Sequence, residues 1–232
     1  MTKARNFQVD HSHLVSHETL EGRLIFEENN TARMAVEELK RLSLRAELPV
    51  LAYCFLKRRV FLLFGPIEDP TAISSFMKSL TRSITDGYNR HHGVQGSLWR
   101  ERFQIWPVRP GQTEQVVMRY IERLPVREGT TWGVHLYPFS SYAERKNDQG
   151  DNWLCYPDAL WQRCRSHQGC LTEYRDFVKI GPDESAISMI ETAMLHEDRV
   201  IGDDDRDAAQ ETLLNKVADD ASGDGYDSSE EE

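Results

Sequence analysis

Residues 51–66, LAYCFLKRRVFLLFGP, leave this chain few ways to fold. Two apolar and aromatic arms flank a tight basic turn, Lys57-Arg58-Arg59. One arm ends near Phe55 and the other runs from about Val60 to Phe64. Arms this apolar, closed by Gly-Pro, read as two β-strands buried at the centre of a sheet. Strand side chains alternate between faces, so Arg59 and Phe61 point to the same side. Any chemistry carried by the hairpin is expected on that side.

The flanking sequence supplies helices. Residues 11–17 (HSHLVSH) alternate polar and apolar, which suggests a first strand. Glu21-Gly22-Arg23 forms a turn, with 24–26 a short continuation. Asn30 or Thr31 can cap a helix to about Leu44 that turns Met34, Leu39 and Leu42 inward, before Pro49 breaks the chain. Asp69-Pro70-Thr71 opens a second helix, in which Ile73, Phe76, Met77, Leu80, Ile84 and Tyr88 recur at helical spacing. Lys78 and Arg82, four residues apart, share one face and suit a phosphate track. Residues 89–96 read as a loop, 98–108 as a strand with a polar start, and 112–124 as a third helix stopped by Pro125. Beyond it the pattern weakens. Residues 132–142 (WGVHLYPFSSY) read as extended or turning, 147–152 as a hydrophilic loop, and 160–164, 171–178 and 186–195 as helices.

Charge is unevenly distributed. The net −10 of the chain matches that of residues 202–232 alone, where twelve Asp and Glu oppose Arg206 and Lys216. So acidic and poor in large apolar residues, this tail is expected to be disordered. Three readings of it stay open: a solubilising chain, a partner-binding segment, or a DNA mimic folding back on a basic region. That region is residues 78–127, where nine Lys and Arg face four acids with aromatics threaded between them. Such a composition fits a nucleic-acid surface, and equally a solvated helix face. No apolar run approaches the roughly 18 residues of a membrane span. The N-terminus lacks a signal-peptide core, and four cysteines make no disulfide framework. A soluble, cytoplasmic protein is expected. Cys155, Cys164, His167 and Cys170 offer zinc-type donors, but their separations of nine, three and three positions lack Cys-x-x-Cys pairs. Buried or incidental cysteines are the simpler expectation. His11 and His13 are likewise expected to be solvated or core residues.

Four blocks in order resemble one family. They are HLVSHETLEGRLIF, AYCFLKRRVFLLFGP, YNRHHGVQGSLWRERF, and RYIERLPVREG followed by YPFSSY. Together they cover residues 11–142 and are similar to the REP-associated tyrosine transposases of the HUH superfamily. The resemblance implies an α+β fold, a ferredoxin-like antiparallel sheet with packed helices. It divides the chain into a transposase-like DNA-binding domain at 1–142, a C-terminal extension at 143–201 and the acidic tail at 202–232. It implies single-stranded or hairpin DNA as partner. It also implies a mechanism: two histidines on the central strand hold Mg or Mn, and a helical tyrosine attacks the phosphate to leave a 5′-phosphotyrosine link. Tyr120 matches that tyrosine, with Arg119 and Arg123 close by to favour phenolate and phosphate.

The departures fall on the metal site. Arg59 and Phe61 occupy the two histidine positions, Arg58 the preceding Asn, and Leu124 the Asn four residues after the tyrosine. Neither guanidinium nor phenyl offers a metal a lone pair, so no metal cofactor is expected. Arg59 can still grip a phosphate, since guanidinium pairs with its oxygens in a bidentate way. Arg58 and Arg59 therefore read either as a phosphate clamp or as a plain basic turn. Lys78, Arg82, Arg90, His91, His92, Arg100, Arg102, Arg119 and Arg123 complete the expected DNA-binding set. The expected function is binding of single-stranded or hairpin DNA with metal-dependent cleavage impaired. The alternatives are a domesticated, non-catalytic protein-interaction module working through the C-terminal region or tail, and cleavage retained with a rearranged metal site.

Overall fold

The structure is a computed structural model that describes residues 6–146, 153–164, 166–196 and 198–203. The loop expected at 147–152 and the disorder expected of the tail beyond 203 concern residues outside the described ones. The element order is β1 (Ser12–Glu18), α1 (Asn29–Ala46), β2 (Val50–Leu56), β3 (Arg59–Phe64), α2 (Ala72–His92), β4 (Gln104–Val108) and α3 (Gln112–Arg127). Four further helices follow: α4 (Ser141–Lys146), α5 (Asp158–Cys164), α6 (His167–Ile180) and α7 (Glu184–Met194). The strands form one antiparallel sheet in the order β2-β3-β1-β4. A β1-α1-β2 and a β3-α2-β4 unit interleaved in that order are the ferredoxin-like α+β layout.

Register assigns every strand side chain to a face. His17 pairs with Val60, Val15 with Leu62 and His13 with Phe64. This face lies under α1 and α2, where Phe76 of α2 meets Phe64 edge-on at 5.3 Å. On the other face, Ser16 pairs with Phe61, Glu18 with Arg59 and Cys54 with Phe61. It lies under α3, where Ser12 Oγ donates to Glu114 Oε1. The expected sharing of a face by Arg59 and Phe61 holds, and it is the α3 face.

Only one arm of the central hairpin is an inner strand. β2 is at the edge of the sheet, yet all seven of its residues are buried because later chain covers that edge. Phe55 N–H donates to Phe139 O at 3.0 Å, Cys155 N–H to Val50 O at 2.9 Å, and Tyr53 N–H to Ser141 Oγ at 3.0 Å. The β4 edge is closed by Ile201, whose N–H donates to Pro107 O at 2.8 Å. An unpaired strand edge templates aggregation, so this covering matters. Residues beyond 142 thus complete the sheet. Buried Arg145 of α4 reaches Glu122 of α3 at 3.1 Å and also donates to Leu51 O and Cys155 O.

Several local expectations change. Residues 24–26 form a turn and no strand, and α1 starts at Asn29 with Glu28 as N-cap, so Asn30 and Thr31 lie inside the helix. α2 runs through residues 89–92, expected as loop, and ends at Gly93 in the left-handed region (φ 64°). Arg90, His91 and His92 occupy its last turn, where cations complement the helix dipole. Of residues 98–108 only Gln104–Val108 is strand; Trp99 makes an isolated bridge to Thr19 and turns its indole to α2. α3 passes Pro125 and ends at Arg127, because proline removes one N–H but leaves its own carbonyl, which accepts from Thr130 N–H at 2.8 Å.

Candidate nucleic-acid interface

On the α3 face, strand alternation and the packing of α3 bring Arg59, Phe61 and Tyr120 together, but in a closed environment. Phe61 is buried and lies 5.2 Å from the Arg59 guanidinium. Arg59 pairs with Glu128, the C-cap residue of α3. Tyr120 is 3% exposed, and its hydroxyl donates to Glu191 Oε1 of α7 at 3.3 Å. Arg127 donates to the same oxygen at 3.0 Å. Burial first, and the Glu191 charge second, push the phenol up to about 12, while Arg59 pulls the other way. A nucleophile needs the opposite shift. Mg or Mn does not fit here: the two positions that the sequence resemblance matched to metal ligands hold a guanidinium already paired with a carboxylate and a buried phenyl ring.

The neighbouring cations of α3 are also committed within the chain. Arg119 stacks 3.7 Å over Phe177 of α6. Arg123 donates to Val178 O and Lys179 O at 3.1 and 2.8 Å, satisfying carbonyls at the end of that helix.

The opposite face is covered by α1 and α2 except beside α2. A groove of about 430 Å³ runs between α2 and residues 102–103, lined by His17, Ser74, Ser75, Met77, Lys78, Thr81, Arg102 and Phe103. Its walls are fixed by aromatic contacts. His17 stacks on Trp99 at 4.5 Å and its Nε2 hydrogen-bonds Glu101 O at 2.7 Å. Trp99 Nε1 in turn donates to Thr81 O and Thr85 Oγ1 of α2, each at 3.2 Å. This tie holds the segment so that Arg102 lines the groove with Lys78. Two exposed cations and the hydroxyls beside them can take phosphate oxygens.

The remaining expected cations lie outside the groove lining. Arg58 is exposed in the β2–β3 turn, and Arg90 is exposed near the end of α2. Arg82 makes a 3.6 Å pair with Asp86, and Arg100 a 3.3 Å pair with Glu18. Both pairs are exposed, so they hold these cations weakly. His91 is exposed, whereas His92 Nε2 approaches Glu28 Oε2 to 3.1 Å. Cys155, Cys164 and Cys170 do not converge as metal donors: Cys170 is buried, and Cys164 donates to Glu173 at 3.2 Å. The side chain of His167 lies outside the described residues.

Sequence reasoning missed the two acids that engage this site, Glu128 on Arg59 and Glu191 on Tyr120. Glu128 stands within the block RYIERLPVREG, where only arginines and the tyrosine drew notice. Glu191 lies some seventy residues after Tyr120, and no local pattern links the two.

No protein-family profile matches the chain, and no curated protein does. Among solved structures, a REP-associated tyrosine transposase bound to a REP hairpin matches with a TM-score of 0.53 at 15% identity. The match covers 68% of this chain and 93% of that one. The fold is shared. A candidate transposase from Deinococcus radiodurans R1 gives a TM-score of 0.37 at 19% identity over 53% of this chain and 97% of its own.

Proposed function

We propose that this protein binds single-stranded or hairpin DNA through the α1/α2 side of its sheet and does not cleave it through Tyr120. The observation that carries this reading is the asymmetry of the two faces. Lys78 and Arg102 line an open groove with an aromatic wall, whereas Arg59, Arg119, Arg123 and Arg127 are engaged inside the chain. The structural neighbour bound to a REP hairpin supports DNA as the ligand class. A phenol at about 12 with a carboxylate partner, beside a position without metal donors, supports loss of the transesterification.

The test is binding of a labelled single-stranded hairpin oligonucleotide across a salt series without added metal. Affinity is expected to fall steeply with salt, and Lys78→Ala or Arg102→Ala to flatten the log–log slope by roughly 0.7 to 0.9 each. Binding that ignores salt and both substitutions would overturn the reading. A covalent protein–DNA adduct abolished by Tyr120→Phe would overturn its second half. Trp132 is 80% exposed, edge-on to His135 at 5.4 Å, and this favours a protein-docking role as the second reading. It predicts a partner whose capture depends on Trp132 and not on Lys78.

A further inference from the structure

One cluster outside both faces of the candidate site carries a different chemistry. Glu28 is the N-cap residue of α1, but its side chain caps no backbone N–H. His91 and His92 close the last turn of α2. The donor atoms of these three side chains lie within 4.8 Å of one another, the only such group of His, Cys, Asp or Glu among the described residues. His92 Nε2 is shielded from solvent and has no hydrogen-bond partner, although Glu28 Oε2 stands 3.1 Å away. A ring nitrogen facing a carboxylate at that range needs something between the two: an N–H hydrogen, or a cation.

The surroundings favour the cation. The Tyr88 ring lies 4.1 Å from His92 and restrains it, and His91 stands perpendicular to His92 with centroids 4.9 Å apart. The two imidazoles therefore approach from different directions, as ligands of one ion do. Two imidazoles and a carboxylate form a borderline donor set, suited to Zn²⁺, Ni²⁺ or Co²⁺ and poor for Mg²⁺. Around a tetrahedral ion with bonds near 2.1 Å, donors stand roughly 3.4 Å apart. Glu28 and His91 are exposed and free to turn over that difference.

We propose that Glu28, His91 and His92 bind one divalent transition-metal ion of the zinc class, joining the start of α1 to the end of α2. The ion would keep at least one coordination position open to solvent. The site belongs to the α1/α2 layer, so the sheet separates it from Tyr120 and it cannot stand in for a metal at that tyrosine. The inference does not depend on the DNA-binding reading.

The test is a Co²⁺ titration of the full, untagged chain after dialysis against a chelator, followed by visible absorption. One equivalent of Co²⁺ is expected to give ligand-field bands without a thiolate charge-transfer band, and Zn²⁺ to displace it. Glu28→Gln, His91→Ala and His92→Ala should each weaken binding at least about tenfold, since even indirect partners of a metal contribute 10- to 100-fold. Zn²⁺ should raise the thermal midpoint of the parent chain and not that of His92→Ala. No binding would overturn the proposal, as would binding unaffected by the three substitutions or carrying a thiolate band.

Discussion

Tyr120 shows how one side chain can keep its place and change its chemistry. Its phenol is buried against α7 and bonded to Glu191, so its proton is held more tightly than in a free tyrosine. Glu191→Ala removes the second-largest cause of that shift and leaves the first, burial. The apparent value should therefore drop below about 12 yet stay above 10, read as the ultraviolet titration difference between each protein and its Tyr120→Phe counterpart. Linkage fixes the consequence for stability. The unfolded chain loses this proton near 10 and the folded one near 12, so stability falls as pH rises through that window. His13 works at the other end. Burial first, and the nearby His11 second, lower its imidazole to about 4. It stays neutral in the folded protein where the unfolded chain is already charged, so stability falls as pH drops from 6.5 toward 4. His13→Asn should flatten this part of a urea-midpoint profile, and an unchanged slope would count against it. The convergence of Arg59, Phe61 and Tyr120 was readable from alternation and from a family resemblance. Their closed state was not, because it depends on Glu191, brought in by tertiary packing from far along the chain.

The helices and strands were more legible than their ends and partners. Helical spacing of Ile73, Phe76, Met77, Leu80 and Ile84 marked α2, and all five are buried. Its last turn was hidden because Asn89-Arg90-His91-His92 has no apolar residue to extend the period, and the true stop, Gly93, comes after it. By its wholly apolar sequence β2 reads as a central strand. It is an edge strand that stays dry under Phe139, Ser141 and Cys155, a cover that no local pattern announces. α4 holds that cover in place through Arg145, whose guanidinium also lies 4.9 and 5.0 Å from the Tyr156 and Tyr174 rings. Arg145→Ala leaves the Glu122 carboxylate buried without its cation and should cost about 3 to 5 kcal/mol in urea unfolding. α1 and α2 meet at Gly87, where a Cβ would fall 2.3 Å from Met34 Sδ. That sulfur belongs to the far end of a flexible, half-buried side chain that can turn away, so Gly87→Ala should raise stability in urea unfolding by up to about 1 kcal/mol through helix propensity. A double-mutant cycle with Met34→Ala measures how much of that gain is spent on turning the methionine aside.

The molecule as a whole is a ferredoxin-like sheet with two unlike faces. One carries α3 and behind it α6 and α7, which absorb its arginines; the other carries α1, α2 and an open cationic groove. Among the described residues no helix is long and apolar enough to cross a membrane. The three readings of the acidic tail, as a solubilising chain, a partner-binding segment or a DNA mimic, concern residues outside the described ones. If the tail competes for the groove, removing residues 203–232 tightens hairpin binding at low salt; unchanged affinity would rule that role out. Under the proposed function, DNA meets the α2 side and leaves the Tyr120 side closed. Hydrogen exchange of the full chain with and without a saturating hairpin oligonucleotide tests it most directly. Added protection is expected in residues 74–82 and 97–103, with 117–127 and 184–194 unchanged. Protection spreading to Tyr120, or α7 exchanging faster as DNA binds, would contradict it.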